Sequence, residues 1–463
     1  MHKYYLKYIV VLFILFEMAG CNSVVHTFRD PDVRLDILFR DNKSDADSIK
    51  LGALHWRELF KDTELQNLIA EGINNNLDLK TAYSRINQAS AYLDQSRMAT
   101  YPGLRGNASI DVAKTINSNT GKRNNVHQYQ LGLSSSWEAD IWGKLKSIKK
   151  ASLASFLSSE ANAKAIQTSL VAAIADHYFA LMAYDKELEI TLQTVETWKK
   201  TISVMKDLKR SAVVTGAAVV QSEASMYATL VTIPDLKRNI RETENAICYL
   251  LGKEPGPISR DSLSEQVSIP MLKTGVPAQL LSNRPDVQAA ELDFRYAFEM
   301  TNVARTNFYP SITITANGGL TNASLGSLFG GGSIVGGIIG GLTQPIFNRG
   351  INKAKLKIAK EDQKQALYNF QNKLLNAGQE VSNALYSYKS AMDKSEPRSK
   401  QLENLNKAVD YTQELVRNDF ANYSEVLIAM QSLLSAELSQ VTDYLQKNQA
   451  VVNLYAALGG GWQ

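Results

Sequence analysis

The chain contains two copies of one sequence pattern. The dipeptide Tyr101-Pro102 recurs 208 positions later as Tyr309-Pro310, and Leu251-Gly252 recurs 207 positions later as Leu458-Gly459. Solenoid repeats run to roughly 20–50 residues, so a unit of this length indicates a different kind of architecture. We therefore expect one fold in which the second half of the chain follows the same path as the first.

The hydrophobic period of each copy changes from that of a helix to that of a strand after its Tyr-Pro pair. Apolar residues alternate with small or polar ones in residues 107–113 and 128–137, and again in residues 311–317. Residues 333–347 are rich in isoleucine and glycine, and their alternation is less clear. Alternation over about 10 residues is typical of a membrane-spanning β-strand. A soluble β-hairpin packed on helices would show the same pattern.

The longest segments of both copies are predicted to be helical. Residues 144–211 contain neither proline nor glycine, and apolar side chains recur there at seven-residue spacing, at Ile174, Leu181, Leu188, Val195 and Ile202. A helix of about 65 residues extends about 100 Å. The equivalent helix of the second copy should run from residues 348–351 to about residue 418, and Pro397 should interrupt and kink it.

Each long helix is expected to reverse in a short turn and to return as a shorter helix, over residues 217–251 and 423–458. Gly216 offers the left-handed conformation that commonly ends a helix, and Asn418-Asp419 uses residue types that tolerate it. Each copy thus predicts the order helix, two strands, long helical hairpin.

The N-terminus has the composition of a secretory signal. Lys3 and Lys7 precede a short apolar run, and Ala19-Gly20 precedes Cys21. The run is shorter than the roughly 20 residues that a membrane-spanning helix needs. The ending resembles a bacterial lipobox, which makes residues 1–20 the signal peptide and Cys21 an acylated first residue that carries palmitate. A plain signal peptide is the alternative.

Composition and spacing argue against several other classes of protein. The net charge is +4 with 44% hydrophobic residues, and no basic stripe with interleaved aromatic residues points to nucleic acid. The glycines of residues 330–341 lack the Lys-Ser/Thr of a phosphate-binding loop. The five histidines make no metal-ligand pair, and Cys248 has no partner, so we expect it to be a buried thiol. We predict no enzyme activity and no cofactor.

Several short motifs resemble the TolC family of outer-membrane factors, in particular its lipoprotein branch. The resemblance covers about Trp56 to Gln463. It rests on Trp56-x3-Phe60-x-Asp62, Asn76-x-Asp78-Leu79, Ile233-Pro234, Glu244-Asn245-Ala246, Arg284-Pro285-Asp286-Val287, Ala304-Arg305-x2-Phe308-Tyr309-Pro310 and Leu458-Gly459-Gly460-Gly461-Trp462. The last motif is typical of members that serve transporters of the resistance-nodulation-division (RND) class. Asp419, where the family usually has glycine, and Pro397 depart from the family pattern.

The resemblance implies a mainly α fold with membrane β-strands, organised as four segments. These are the signal peptide 1–20, a lipid-anchored arm 21–55, a first repeat 56–255 with strands at about 105–138, and a second repeat 256–463 with strands at about 311–347 and a C-terminal equatorial segment. Four strands cannot close a barrel, and open edges in lipid leave backbone groups unpaired. Two copies would give a side-chain-filled barrel of eight strands. A homotrimer with one 12-stranded β-barrel, continued by a periplasmic α-helical barrel, is the smallest open pore and the arrangement of the family.

The implied function is a passive conduit in the Gram-negative outer membrane, loaded by an inner-membrane RND transporter through a periplasmic adaptor protein. Asp410 and Glu414 lie four residues apart on one helix face, and in a trimer they could form a charged gate ring. A solvated helix surface is the alternative. By resemblance the helical tips contact the adaptor, at Val213, Val214, Thr215, Gly216, Asn418, Asp419, Phe420 and Asn422. Two alternative functions keep parts of this interpretation: the conduit of a type I protein secretion system and a lipid-anchored coiled-coil scaffold.

Overall fold

The structure is a computed structural model that describes residues 24–29, 31, 54–116, 123–261, 284–417 and 423–463. The first copy contributes α1 (Trp56–Leu59), α2 (Thr63–Asn75), α3 (Leu77–Met98), β1 (Gly103–Ile116), β2 (Arg123–Ala139), α4 (Lys144–Arg210) and α5 (Gly216–Leu250). The second contributes α6 (Pro285–Thr306), β3 (Ser311–Asn322), β4 (Ile334–Thr343), α7 (Ile351–Arg417) and α8 (Tyr423–Ala457), with two single 3-10 turns between β3 and β4.

Equivalent helices of the two copies have equal lengths. Helices α3 and α6 have 22 residues each, α4 and α7 have 67, and α5 and α8 have 35. The duplicated order of helix, two strands and long helical hairpin is confirmed. No helix in the described part of the chain combines the length and the apolar composition needed to cross a membrane.

The chain forms two compact units, and each takes segments from both copies. The first comprises Met1–Asp32, Arg85–Ser159 and Ala289–Phe370, and the second comprises Val33–Ser84, Glu160–Gln288 and Gln371–Gln463. Since neither unit corresponds to one copy, neither can form before both copies have been synthesised.

The four strands of the first unit form one antiparallel sheet in the order β1-β2-β3-β4. Its register pairs Gly103 with Ser136, Leu131 with Leu320, and Leu320 with Ile334. The predicted strand region at residues 311–347 is too long, because β4 ends at Thr343. Pro345 lies two residues further on, and proline cannot donate a hydrogen bond to a neighbouring strand.

Apolar residues recur at helical spacing through residues 56–79, yet this segment forms separate helices because polar side chains cap them. The Asp62 carboxylate accepts a hydrogen bond from the Leu65 N–H at 3.0 Å and starts α2. The side-chain oxygen Oδ1 of Asn76 accepts one from the Leu79 N–H at 2.9 Å at the start of α3. Both residues are strongly preferred at helix N-caps.

Pro397 does not interrupt α7, which continues from Ile351 to Arg417. Pro397 is exposed. Water can therefore satisfy the carbonyl that loses its backbone donor, which lowers the cost of a proline inside the helix.

The seven-residue repeat of α4 forms much of the core of the second unit. Ile174 and Leu181 are fully buried, and Val195 and Ile202 are nearly so. The cysteine prediction is also confirmed, since Cys248 is a buried free thiol.

Candidate functional site

The sheet has an apolar face to which every strand contributes. Directly paired residues of an antiparallel sheet point to the same side, and successive residues of one strand point to opposite sides. This apolar face carries Leu104, Ile110, Val112, Leu131, Leu133, Trp137, Ile312, Ile314, Leu320, Ile334, Ile338 and Leu342. Leu104 is 73% exposed and Ile338 is 79% exposed in the single chain. A sheet face of this kind is suited to contact with lipid.

The opposite face of the sheet is mainly polar. This polar face carries Arg105, Asn107, Ser109, Asp111, Gln128, Gln130, Ser134, Ser136, Thr313, Thr315, Asn317 and Thr321. Gln128 Nε2 donates a hydrogen bond to Thr321 Oγ1 at 3.1 Å along this face. Strand β4 is the exception, because Val335 and Ile339 lie on the polar face and glycines alternate with isoleucines on the other. This explains the weak alternation of its sequence.

Each strand pair continues into a long helix through a glycine turn. Gly143 and Gly350 precede α4 and α7 with φ values of 75° and 80°, a conformation that costs glycine little. In the first copy, the Asp140 carboxylate accepts hydrogen bonds from the backbone N–H groups of Leu145 and Lys146 at 2.9 and 2.8 Å. The strand end and the helix start are thus held together.

Aromatic side chains lie at the same junction. Trp142 Nε1 donates a hydrogen bond to the Pro310 carbonyl at 2.7 Å, and its ring lies 5.0 Å from that of Tyr309. Trp137 Nε1 donates to the Thr100 carbonyl at 3.0 Å. Tryptophan and tyrosine at the end of membrane strands are typical of the bilayer interface.

The N-terminal arm packs on α6 in the first unit. The His26 N–H donates to Asn302 Oδ1 at 3.1 Å, and Asn302 Nδ2 donates to the His26 carbonyl at 3.0 Å. The ring of Phe28 contacts those of Phe294 and Phe298 at 5.5 and 5.3 Å. Cys21, the predicted lipidation site, lies outside the described residues.

The first helical tip ends in a Schellman motif. The Val213 N–H donates to the Leu208 carbonyl at 2.9 Å, and the Ala212 N–H donates to the Lys209 carbonyl at 3.0 Å. Ala212 has a φ of 60°, which an L-residue adopts only at a cost. The left-handed position of this motif is therefore occupied by alanine.

The prediction that Gly216 takes the left-handed position is wrong. Gly216 is the first residue of α5, and Thr215 is its N-cap, with its hydroxyl accepting a hydrogen bond from the Ala218 N–H at 3.3 Å. The turn is closed before residue 216 is reached, so the glycine is free to begin the next helix. Val213 is exposed and Val214 is half-buried.

An apolar tip cluster joins the two helical hairpins. It consists of Trp198, Met205, Val219, Val416, Tyr423, Val426, Leu427 and Met430. Two polar contacts between α5 and α8 accompany it: Ser222 Oγ to Tyr423 Oη at 3.4 Å, and Gln431 Nε2 to Ser225 Oγ at 3.0 Å. Sequence reasoning missed this cluster, although Trp198 and Met205 share a seven-residue spacing that could have revealed it.

The candidate gate residues lie on the exposed side of α7. Asp410 and Glu414 are both exposed, while Val409 and Val416 on the same helix belong to or pack against the tip cluster. Their placement agrees with a shared face, and their role as a gate stays a prediction. The second tip, with Asn418, Asp419, Phe420 and Asn422, lies outside the described residues.

A buried arginine connects three helices of the second unit. Arg284 forms two hydrogen bonds to Asp286, at 3.1 and 2.9 Å, and donates to the Ala457 carbonyl at 2.8 Å and to Glu380 at 2.7 Å. Burial by itself would raise the pKa of Asp286, but the hydrogen bonds and charge of Arg284 outweigh it and hold the pKa below its ordinary value. This geometry gives the Arg284-Pro285-Asp286 motif a structural role.

The half-buried Asp176 has a carboxylate oxygen without such a partner. The Oδ1 atom of Asp176 on α4 is buried and has no hydrogen-bond partner among the described residues. Burial raises the pKa of Asp176 to about 7. No group of three or more potential metal ligands is found in the described part of the chain.

Known proteins resemble this chain in sequence and fold over nearly its whole length. The sequence model of the family described as "Outer membrane efflux protein" matches twice, over residues 68–253 and 276–460. The probable outer membrane lipoprotein SilC of Salmonella typhimurium is 28% identical over 451 residues, which cover 97% of each chain. The solvent efflux pump outer membrane protein SrpC of Pseudomonas putida is 26% identical over 459 residues, again 97% of each.

The solved structure of the outer-membrane channel OprN has a TM-score of 0.88 with this chain at 25% identity, covering 95% of this chain and 99% of that one. The chain is an outer-membrane channel component of an efflux pump. With both halves of its duplicated sequence matched, it belongs to the outer membrane efflux protein family.

Proposed function

We propose that three copies of this chain close one 12-stranded pore, which passively conducts substrates that an inner-membrane RND transporter delivers through a periplasmic adaptor. The protein performs no covalent chemistry and carries no cofactor other than a lipid on Cys21. The single observation that carries this proposal is the two-faced sheet, with apolar side chains on one face and polar side chains on the other.

The edges of the sheet support an assembly of several chains. In the part of the chain that the structure describes, β1 pairs only with β2 and β4 pairs only with β3. Each outer strand therefore leaves one row of backbone groups unpaired. In a bilayer each unpaired group costs several kcal/mol, so the sheet must be completed by further strands. Pairing β1 of one copy with β4 of the next would remove both edges.

Two neighbouring residues of β2 provide a matched test. Leu131 lies on the apolar face and Gln130 on the polar face. An arginine on the lipid side of a strand costs about 2–4 kcal/mol at the bilayer midplane, whereas one on the lumen side changes selectivity. We expect Leu131→Arg to abolish insertion and heat-resistant trimers. Gln130→Arg should insert and shift ion selectivity toward anions.

Single-channel recordings in planar bilayers, together with gel analysis of trimers, measure both effects. The proposal fails if Leu131→Arg conducts like the unmodified protein. It also fails if Gln130→Arg leaves selectivity unchanged while the channel still opens.

The gate is proposed at the face that carries Asp410 and Glu414. A ring of these carboxylates would hold cations at the tip, and the carboxylates of neighbouring chains would repel one another. Recordings of Asp410→Ala and Glu414→Ala should show weaker cation selectivity, with the exposed residue Asp362→Ala on the same helix as control. Equal selectivity in all three variants would identify the face as solvated surface.

The lipid anchor is proposed at Cys21. His26, which is hydrogen-bonded to Asn302 on α6, lies five positions after it. Such a length of chain spans at most about 17 Å, so the lipid would enter the same membrane as the sheet. SilC, a relative named as an outer membrane lipoprotein, supports the assignment. A palmitate analogue should label the protein in cells and fail to label Cys21→Ser.

A further inference from the structure

Both long helices begin with an unusual run of basic residues. In α4 the basic residues are Lys144, Lys146, Lys149 and Lys150, and the first acidic residue of that helix is Glu160. In and just before α7 they are Arg349, Lys353, Lys355, Lys357 and Lys360, and the first acidic residue is Glu361. A run of basic residues thus begins both equivalent helices, and at a shift of 207 Lys146 and Lys150 correspond to Lys353 and Lys357.

Most of these cations have no carboxylate partner in the part of the chain that the structure describes. Lys144 pairs with Glu138 at 3.0 Å and Lys150 with Glu299 at 3.6 Å. Glu361 is already paired with Lys364 at 2.9 Å. The other seven have no carboxylate oxygen within 4.0 Å among the described residues: Lys146, Lys149, Arg349, Lys353, Lys355, Lys357 and Lys360. We call these seven residues the junction cations.

The junction cations are unfavourable for the isolated chain. Neither α4 nor α7 has an acidic residue in its first turn, and the positive end of the helix dipole repels cations there. At the start of α4 the Asp140 carboxylate offsets part of this repulsion. Lys353, Lys357 and Lys360 also lie on one helix face, because they are spaced by four and three residues. All seven are exposed. An anionic partner would relieve this repulsion.

The junction cations lie just beyond the end of the apolar face. Strand β2 ends at Ala139 and strand β4 at Thr343, only a few residues before the basic runs begin. Trp142 and Tyr309, which contact each other at this level, are residue types of the bilayer interface. The step from apolar strand to aromatic belt to unpaired cations follows the order of hydrocarbon, interface and phosphate in a membrane.

We propose that the junction cations bind the phosphate groups of anionic phospholipids, in the membrane leaflet on the helical side of the sheet. The proposal rests on the proposed function only in placing the sheet in a bilayer. Lysine ammonium groups are mobile point charges that suit the varied positions of headgroup phosphates. Zwitterionic headgroups offset their phosphate with a cation, so the site should prefer phosphatidylglycerol over phosphatidylcholine.

The test compares two variants that lose equal charge. The junction variant carries Lys353→Gln, Lys355→Gln, Lys357→Gln and Lys360→Gln. The control variant removes four exposed lysines of the second unit, with Lys200→Gln, Lys209→Gln, Lys237→Gln and Lys389→Gln. Native mass spectrometry of the detergent-solubilised full chain counts bound phosphatidylglycerol and phosphatidylcholine of identical acyl chains.

The unmodified protein and the control should prefer phosphatidylglycerol, and the junction variant should lose about tenfold or more of that preference, since each basic residue near an anionic surface contributes about fivefold. Raising salt from 0.1 to 1 M shortens the screening length from about 10 to about 3 Å and should weaken the preference. The proposal is overturned if the unmodified protein binds both lipids equally. It is also overturned if the junction variant keeps the full preference.

Two further measurements keep the outcomes separate. If the quadruple variant does not form a folded oligomer, the double variant Lys353→Gln/Lys357→Gln takes its place and should lose part of the preference. Conductance in bilayers of phosphatidylcholine tests the pore itself. Absence of conductance with an intact lipid preference would count against the proposed function and not against the lipid site.

Discussion

Replacing Arg284 with methionine removes the cation from the cluster in which α6, α7 and α8 meet. The guanidinium side chain is 7% exposed and donates hydrogen bonds to Asp286, Glu380 and the Ala457 carbonyl. Methionine keeps part of the apolar stem and removes all donors. The two carboxylates and the carbonyl are then left without their partner inside the fold.

The expected cost is large because one member of a buried ion pair is removed. Such changes typically cost 3–5 kcal/mol. The Glu380 side chain is 44% exposed, against 26% for Asp286, so water can partly replace the arginine at Glu380. We therefore expect about 3 kcal/mol, the low end of that range, or about a 150-fold change in the ratio of folded to unfolded chain.

The matched control is Arg238→Met. Arg238 and its partner Asp235 are 62% and 65% exposed, and exposed pairs contribute at most about 1 kcal/mol. Denaturant titrations of both variants, followed by the helical circular dichroism signal, measure the difference in the free energy of unfolding. The comparison requires that both variants have the same m-value, the slope of that free energy against denaturant concentration. A cost below about 1 kcal/mol for Arg284→Met, equal to that of the control, would refute the reasoning.

The pH dependence gives the same prediction a second test. The pKa of Asp286 is held below its ordinary value, so its contribution to stability is present above that ordinary value and is lost as the pH falls through the lowered one. Without Arg284, burial would raise the pKa of Asp286, and acid would relieve the buried charge. The stability gap between the two proteins should therefore narrow between pH 7 and pH 3.

Three further changes test local features. Ala212→Gly should stabilise the first tip by about 1 kcal/mol, because glycine adopts the left-handed φ without the cost of a side chain. Asp176→Asn should be near neutral at pH 4 and stabilising by about 1–3 kcal/mol at pH 8. In the folded protein the Asp176 carboxyl keeps its proton until about pH 7, whereas in the unfolded chain it loses the proton near its ordinary pKa. The stability of the unmodified protein therefore falls as the pH rises between those two values. Gly319→Ala should prevent pairing of β2 and β3 there, because its Cβ would lie 2.4 Å from the Leu131 carbonyl oxygen.

Each of these changes has a control and a contrary result. If the backbone of Ala212 is not strained, Ala212→Gly will not slow hydrogen exchange at the tip. Gly216→Ala is the control variant. A stability difference for Asp176→Asn that does not vary with pH would exclude a buried charge. Gly337→Ala, which meets nothing within 4 Å, should assemble where Gly319→Ala does not.

The long-range pattern of the sequence predicted much of the fold. The seven-residue spacing of Ile174 and Leu181 predicted α4 and its buried face, and alternation predicted strands β1 to β3 and their two-faced character. These features follow from the geometry of a helix or strand, because the period of a sequence matches the period at which side chains return to one face. The breaks between helices were harder to predict, because the apolar residues continue at helical spacing through Asp62 and Asn76, where the caps begin new helices.

The candidate site was predictable only in part, and for a different physical reason. Asp410 and Glu414 share a face by spacing alone. The spacing of Trp198 and Met205 hinted at one side of the tip cluster, yet nothing local identified its other members or the pairing of Arg284 with Glu380 and Ala457. The tip cluster includes Trp198 and Val416, which are 218 positions apart, and Arg284 meets Glu380 and Ala457, which are 96 and 173 positions away. Which of these residues meet is decided by how the helices pack.

By itself, therefore, the sequence determined the doubled path, most of the helices and strands along it and the polarity of strands β1 to β3. Only the tertiary structure decided that each compact unit mixes both copies and that alanine closes the first tip. It also decided that β4 presents isoleucine to both faces. The reason is that local periodicity is set by neighbouring residues, whereas partner choice depends on free-energy differences among contacts between segments far apart in the chain.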